Sequence, residues 1–283
     1  MQKEKIIRAG LFGRPLSGSL SPEVFGIFAG LLGVGIAYEL RETEASGLVA
    51  GIAGARAGGW SGFSVTIPHK RAVLAMLNLS DPAASAAGAV NAVRFGKMGL
   101  EGMNTDARAL LQAFEGHGVS AQGKAAVIFG AGGAAGAAGW ALGRSRAASV
   151  AILARNGAQA SSLAARLADC FPETVFSAGA FAAPEKTPDI AVNATPIGMY
   201  ARDVLPFTPA PACACVDFAY APAGTDFLRA AAAAGAVSID GLELLVAQAA
   251  LALKFWTGLP GGDIVKFSNE ALGLLRARTG RGL

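Results

Sequence analysis

Histidine is almost missing from this 283-residue chain, which carries only His69 and His117, and cysteine is limited to Cys170, Cys213 and Cys215. A catalytic zinc asks for about three protein ligands, commonly with His or Cys among them, so no metal site is expected. Cys213 and Cys215 stand one residue apart, poor spacing for an unstrained mutual disulfide, and a bare C-x-C without further ligands reads as structural. The cysteines are therefore expected to be reduced, buried thiols. Clustered charge is lacking too. The net charge of +4 comes from basic residues scattered along the chain, without the basic patches and interleaved aromatics of a nucleic-acid groove. Small anionic ligands suit it better. Long apolar runs are also scarce: the hydrophobic share is 53%, but small Ala carries much of it, with Gly interspersed. The longest uncharged stretch, Ala125 to Gly143, has interior glycines that break it into strand, turn and helix rather than a membrane span. The beginning, MQKEKIIRAG, has mixed charge and no apolar core of signal-peptide length, so a cytoplasmic location is expected.

What is present is an alternation of strand-like and helix-like runs, over a length that favours two domains with a cleft. Strands are predicted at Ile6 to Gly13, Ala37 to Arg41, Gly62 to Ile67 and Val90 to Phe95. A second series has Ala125 to Phe129, Ser149 to Ala154, Ile190 to Asn193 and Cys215 to Phe218, the rhythm of a doubly wound parallel sheet. From Leu242 the chain reads as helix, through LELLVAQAALALKFWTG and then Ile264 to Arg278. These helices bring no strands of their own and are expected to pack back on the N-terminal domain.

In the second series, AAVIFGAGGAAGAAGWAL sets Gly130, Gly132 and Ala135 in the spacing G-x-G-x-x-A between a strand and a helix. Gly130 permits the tight turn, Gly132 admits a pyrophosphate against the backbone, and Ala135 lets helix pack on strand. The helix N-terminus then favours the anion. Such a turn predicts a nicotinamide dinucleotide. At the end of the following strand stand Ala154, Arg155 and Asn156, where NAD sites usually offer a carboxylate to the ribose. An arginine there fits a 2′-phosphate, and hence NADP; the plainer alternative is an arginine solvated at a strand end.

The Tyr-x-x-x-Lys proton donor of short-chain dehydrogenases is missing, since Tyr38, Tyr200 and Tyr220 are followed four residues later by Glu42, Val204 and Gly224. Another acid must serve. The polar candidates lie in SGSLSP (17–22), GFSVTIPHK (62–70) and NTD (104–106). With GAVNA (88–92), NATPIGM (193–199), Tyr220 in DFAYAP and Gln248 in GLELLVAQ, the order and spacing resemble the shikimate dehydrogenase family over nearly the whole chain.

The resemblance implies reduction of 3-dehydroshikimate to shikimate with NADPH, a step of aromatic amino acid and chorismate biosynthesis. It implies an N-terminal α/β substrate domain completed by C-terminal helices (1–106 and 241–283) and a Rossmann-like doubly wound cofactor domain (107–240). Lys70 would transfer the proton, paired with Asp106. Ser19, Ser21 and Tyr220 would bind the carboxylate, Thr66, Asn91 and Gln248 would hold ring hydroxyls, and Ser64 would be a further substrate contact. Around the cofactor it implies Gly130, Ala131, Gly132, Gly133, Ala134 and Ala135 at the phosphates. Arg155 and Asn156 would lie at the 2′-phosphate, and Thr195, Met199, Phe218 and Gly241 near the nicotinamide. The serines could equally serve as turn and cap residues, and Lys70 and Asp106 as a surface ion pair. Ser64 stands where many members have Asn, Gly136 where Arg commonly follows the turn, and Gln159 where a second basic residue often assists. Ala109 and Leu244 are conservative departures. The rival readings are a quinate or quinate/shikimate dehydrogenase using NAD, and a dinucleotide sensor without catalysis. Neither membrane nor nucleic acid is expected as a partner, and the chain is expected to be a monomer or homodimer.

Overall fold

A computed structural model describes residues 6–199, 201, 203–258 and 261–280, with the side chains of 261–266 left out. The first five residues, Tyr200 and residues 281–283, which entered the sequence reading, lie outside that set. The chain divides into two compact units. Unit 1 holds the described residues of Met1–Ser85, Ala89–Thr105 and Leu245–Arg278, and unit 2 those of Ala86–Gly88, Asp106–Leu244 and Thr279–Leu283.

In chain order the elements are β1 (Ile7–Gly13), α1 (Ser21–Leu32), β2 (Ile36–Glu42), α2 (Leu48–Ala57), β3 (Gly62–Val65), α3 (Lys70–Leu74), β4 (Leu79–Ser80), α4 (Pro82–Ala87), β5 (Ala92–Gly96) and β6 (Gly99–Met103). They build a six-stranded sheet in the order β2-β1-β3-β5-β6-β4. The first three strands are parallel, while β5 runs antiparallel to both β3 and β6. One face of this sheet carries Phe12, Phe63 and Val65 into a core with Leu48, Ile52, Trp60 and Val73. Along β1 the side chains alternate, so the other face takes Ala9 and Leu11. Pro22 in the first turn and Gly33 in the left-handed conformation at the end bound α1, the usual asymmetry of a helix.

The chain continues through α5 (Thr105–Gly116), β7 (Ala125–Phe129), α6 (Gly133–Arg144), β8 (Ser149–Leu153), α7 (Gly157–Cys170), β9 (Val175–Gly179), β10 (Ile190–Asn193), β11 (Ala214–Asp217), α8 (Asp226–Ala233) and β12 (Val237–Ile239). Its last helices are α9 (Gly241–Thr257) and α10 (Gly261–Thr279). All six strands of the second sheet are parallel, ordered β12-β11-β10-β7-β8-β9. The strand order reverses beside β7, the topological switch point at which doubly wound sheets bind nucleotides. Both β10 and β11 are buried along their whole length, which is why they read as unbroken apolar runs rather than alternating ones.

The sheets account for the strands predicted from sequence with shifts of one or two residues at their ends. Four strands were not foreseen: β4, β6, β9 and β12. β6 is glycine-rich (GLEGM) and follows the hairpin turn at Lys97–Met98, and β9 (VFSAG) is a largely exposed edge strand. Neither carries a strong apolar period. The thiols also differ from expectation at one position: Cys213 and Cys215 are buried, whereas Cys170, at the end of α7, is exposed. Among the described residues no helix is long and apolar enough to cross a membrane.

Candidate active site

In unit 1 the serines of SGSLSP precede and open α1. Ser19 Oγ donates to Ser21 Oγ at 3.2 Å, and the Ser21 amide donates back to Ser19 Oγ at 3.3 Å. No side chain of the cap residue, Leu20, closes the helix start; the two hydroxyls bind one another, and Ser19 Oγ also takes the first helix amide. Ser64 lies in β3, buried to 6% exposure, and Thr66 opens the turn just beyond it. β3 stops at Val65, so Thr66 sits past the strand end and not within a strand as predicted; its amide donates to the Phe12 carbonyl at 2.9 Å.

Lys70 is the first residue of α3 and is half-buried, and its carbonyl accepts from the Val90 amide at 3.1 Å. The neighbouring His69 is 2% exposed and its Nε2 lies 2.7 Å from the Thr43 carbonyl oxygen. A carbonyl can only accept, so Nε2 carries the proton and that nitrogen is committed to structure.

Asn91 gathers a polar cluster. Its Oδ1 accepts from the Thr105 amide at 2.7 Å and its Nδ2 donates to Thr105 Oγ1 at 2.8 Å. Gln248 on α9 completes the group, its Oε1 lying 3.4 Å from Thr105 Oγ1 and 3.5 Å from Asn91 Nδ2. One Gln248 Nε2 hydrogen goes to the Leu245 carbonyl at 3.0 Å. Thr105, fully buried, thus orients both amides, a role that the sequence reading passed over although the residue lies inside NTD. Asp106 follows it as the second residue of α5, half-buried, and is the first residue of the 106–244 segment of unit 2.

In unit 2 the glycine turn has a stringent geometry. Gly130 has φ +112, and a Cβ there would stand 2.8 Å from the Ala194 carbonyl oxygen. Gly132 is the exposed cap residue of α6, without a side-chain cap, and a Cβ on it would meet open space. Ala131 and Ala135 are buried; Gly133 and Ala134 are half-buried in the first turn. An uncapped helix start beside open space is a cradle for a phosphate. Gly136 has a separate reason: a Cβ there would run into the backbone of Ala87, so the arginine common at this position has no room. Arg166 of α7 holds the same segment, donating to the Ala86 and Ala87 carbonyls at 2.9 and 3.1 Å.

Arg155 lies exposed beyond β8, with Asp203 at 3.9 Å as a loose ion-pair partner. Such an exposed pair holds the guanidinium weakly. Asn156 caps α7, its Oδ1 accepting from the Gln159 amide at 3.0 Å, which leaves its side-chain NH2 for other work.

A buried network then shapes the loops after β10 and β11. Asn193 Oδ1 accepts from the Thr195 amide and hydroxyl at 3.0 and 2.6 Å. Asn193 Nδ2 donates to Asp217 Oδ1 at 2.8 Å, while Asp217 also accepts from the Ala219 amide and the Thr225 hydroxyl. Asp217 is fully buried, and burial pushes its pKa up to about 7 against the pull of these hydrogen bonds. Phe218 donates its amide to the Asn193 carbonyl at 3.0 Å, Met199 its amide to the Pro196 carbonyl at 3.1 Å, and Gly241 sits against the Phe218 and Ala219 carbonyls. Tyr220 is half-buried in the same loop as Phe218. The predicted cofactor residues therefore fall into two groups: the glycine turn with 194–195, joined at Gly130, and the 217–220 loop with Gly241, joined through Asn193. Arg155 and Asn156 stand apart at the next strand end. Asp217 was not foreseen; its position after an apolar strand, ahead of Thr225, was the available signal.

The model of the shikimate dehydrogenase substrate binding domain matches residues 11–93. The shikimate dehydrogenase (NADP(+)) of Anaeromyxobacter sp. strain Fw109-5 is 39% identical over 255 residues, covering 88% of this chain and 90% of that protein. The chain belongs to the shikimate dehydrogenase family. Its fold is similar to that of shikimate 5-dehydrogenase from Thermus thermophilus in complex with NADP(H) and shikimate, at 31% identity and a TM-score of 0.76 over 94% of this chain and 99% of that one. Ligand-free 5-ketofructose reductase of Gluconobacter sp. strain CHM43 is also similar, at 31% identity and a TM-score of 0.80 over 94% and 99%. The architecture of shikimate dehydrogenases thus extends to a reductase named for a different ketone.

Proposed function

We infer that this chain reduces 3-dehydroshikimate to shikimate with NADPH, reversibly, as a step in making aromatic amino acids. The observation that carries this reading is the 39% identity to a shikimate dehydrogenase (NADP(+)) across 88% of the chain. Unit 1 serves the substrate and unit 2 the cofactor.

NADPH supplies the hydride when bound. The chain offers a matching cradle: the uncapped start of α6, the open space at Gly132 and the exposed Arg155. The amides of Gly133 and Ala134 receive the pyrophosphate, with Gly130, Ala131 and Ala135 fixing the turn. Arg155 and the free amide of Asn156 hold the 2′-phosphate. Thr195, Met199, Phe218 and Gly241 shape the nicotinamide end.

On the substrate, Ser19, Ser21 and Tyr220 bind the carboxylate, and Ser64 is a further contact. Thr66, Asn91 and Gln248 hold ring hydroxyls. Lys70 donates its proton to the oxygen that becomes the new hydroxyl and recovers one in the reverse direction, and Asp106 hydrogen-bonds a ring hydroxyl. The enzyme works in the cytoplasm, as a monomer or homodimer.

Purified protein incubated with shikimate and NADP is expected to accumulate NADPH together with 3-dehydroshikimate, identified by mass. Absence of both products across neutral to alkaline pH would overturn the assignment.

A further inference from the structure

Tyr38 brings a buried phenol to the serines of unit 1, and the register of the sheet explains how. Across β1 and β2, Ala9 pairs with Tyr38; across β1 and β3, Leu11 pairs with Ser64. Paired residues of parallel strands share a face, as do residues two apart on one strand. Tyr38 and Ser64 therefore project from the same side of the sheet, with small Ala9 beside the tyrosine. The helix above supplies the third group. Phe25 of α1 stacks on the Tyr38 ring at 4.1 Å with 16° between planes, and Trp256 of α9 stacks on Phe25 at 5.4 Å. Ser21 is one turn before Phe25, on the same helix face.

The Tyr38 hydroxyl ends in this corner without a well-formed hydrogen bond among the described residues. The hydroxyls of Ser21 and Ser64 are near enough to favour its ionised form, though burial dominates and raises its pKa. A buried phenol with no acceptor is a standing cost, and the acceptors at hand are the two serine oxygens. Ser21 already receives a hydrogen bond from Ser19. A hydrogen bond from Tyr38 to Ser64 or Ser21 would occupy a serine lone pair and leave that serine's own hydrogen for a ligand. Hydroxyls chained in this way, with their last hydrogens left over, suit an anionic oxygen as the final acceptor.

We propose that Tyr38 is a positioning residue that orients the Ser21 and Ser64 hydroxyls toward the carboxylate of a hydroxylated ring acid and so sets affinity for that carboxylate. The inference rests on the assignment of Ser21 to the substrate carboxylate and of Ser64 to the substrate made above. Its chemistry is hydrogen bonding only, with no proton or electron transferred.

The test is Tyr38→Phe in the full chain, which keeps the stacked ring and deletes one oxygen. The KM for shikimate should rise about fivefold to tenfold, while kcat, the KM for NADP and the melting temperature stay near wild type. With shikimate methyl ester, whose carboxylate is neutralised, wild type and variant should be alike. A combined Tyr38→Phe, Ser64→Ala enzyme should lose less than the two single losses multiplied, because part of the effect of Tyr38 passes through Ser64. An unchanged KM for shikimate, an equal loss with the methyl ester, or a rise in both KM values accompanied by a lower melting temperature overturns the proposal. Absence of shikimate turnover by the wild-type enzyme would instead overturn the function, and this inference with it.

Discussion

Asp217 sits fully buried at the end of β11 with three hydrogen bonds to its carboxylate and a pKa raised from 3.8 to about 7. The folded chain therefore keeps a proton, between about pH 4 and pH 7, that the unfolded chain has released. Stability from this group is complete below the unfolded pKa and is lost as pH climbs through the folded one. Asp217→Asn mimics the protonated acid, so its stability relative to wild type should improve from pH 5 to pH 8 by on the order of 2 kcal/mol. Denaturant unfolding at the two pH values measures this, and a pH-independent difference would count against the assigned pKa. Lys70 carries the other prediction at this scale. Lys70→Ala should lower kcat by about two to four orders of magnitude while substrate binding, measured by titration, changes little. A wild-type kcat removes Lys70 from the mechanism. The sequence made Lys70 and Asp106 easy to single out, because each ends a short polar motif. It hid Thr105, Asp217 and Tyr38, whose significance lies in partners up to 143 residues away or in a face of a sheet whose register no single segment encodes.

At the scale of elements, the glycine turn and the helix after it follow two separate constraints. Gly130 needs its positive φ and its lack of a Cβ beside the Ala194 carbonyl. Gly130→Ala should therefore cost about 1–3 kcal/mol in stability, and weaken NADP binding as the turn shifts. Calorimetric titration and thermal melting read the two effects. The absence of arginine at position 136 is explained by packing: α6 approaches the Ala87 backbone where a side chain would stand. Gly136→Arg should destabilise the fold by about 2–4 kcal/mol without tightening NADP; tighter NADP in a stable variant would refute this. The doubly wound sheet was legible because β7, β8, β10 and β11 are apolar runs bounded by turn residues. The first sheet was half legible. Its hairpin partner β6 carries two glycines in five residues, and β4 spans only Leu79–Ser80; such short or weakly patterned strands are fixed by neighbours rather than by their own sequence.

For the molecule as a whole, the fold says less than the site. A reductase named for 5-ketofructose shares this architecture at a TM-score of 0.80, so substrate choice rests with side chains and not with topology. In the proposed function those are the serine hydroxyls with Tyr38 behind them, Lys70, the Asn91–Thr105–Gln248 cluster and, for the cofactor, Arg155. Arg155 is exposed and only loosely paired, so NADP preference should be moderate, and Arg155→Ala should raise the KM for NADP about tenfold while leaving that for NAD nearly unchanged. The most direct measurement is kcat/KM for the wild-type enzyme in four combinations, shikimate or quinate with NADP or NAD. Shikimate with NADP is expected to exceed the other three. A higher value for quinate, or for NAD with either acid, would contradict the assignment of substrate and cofactor.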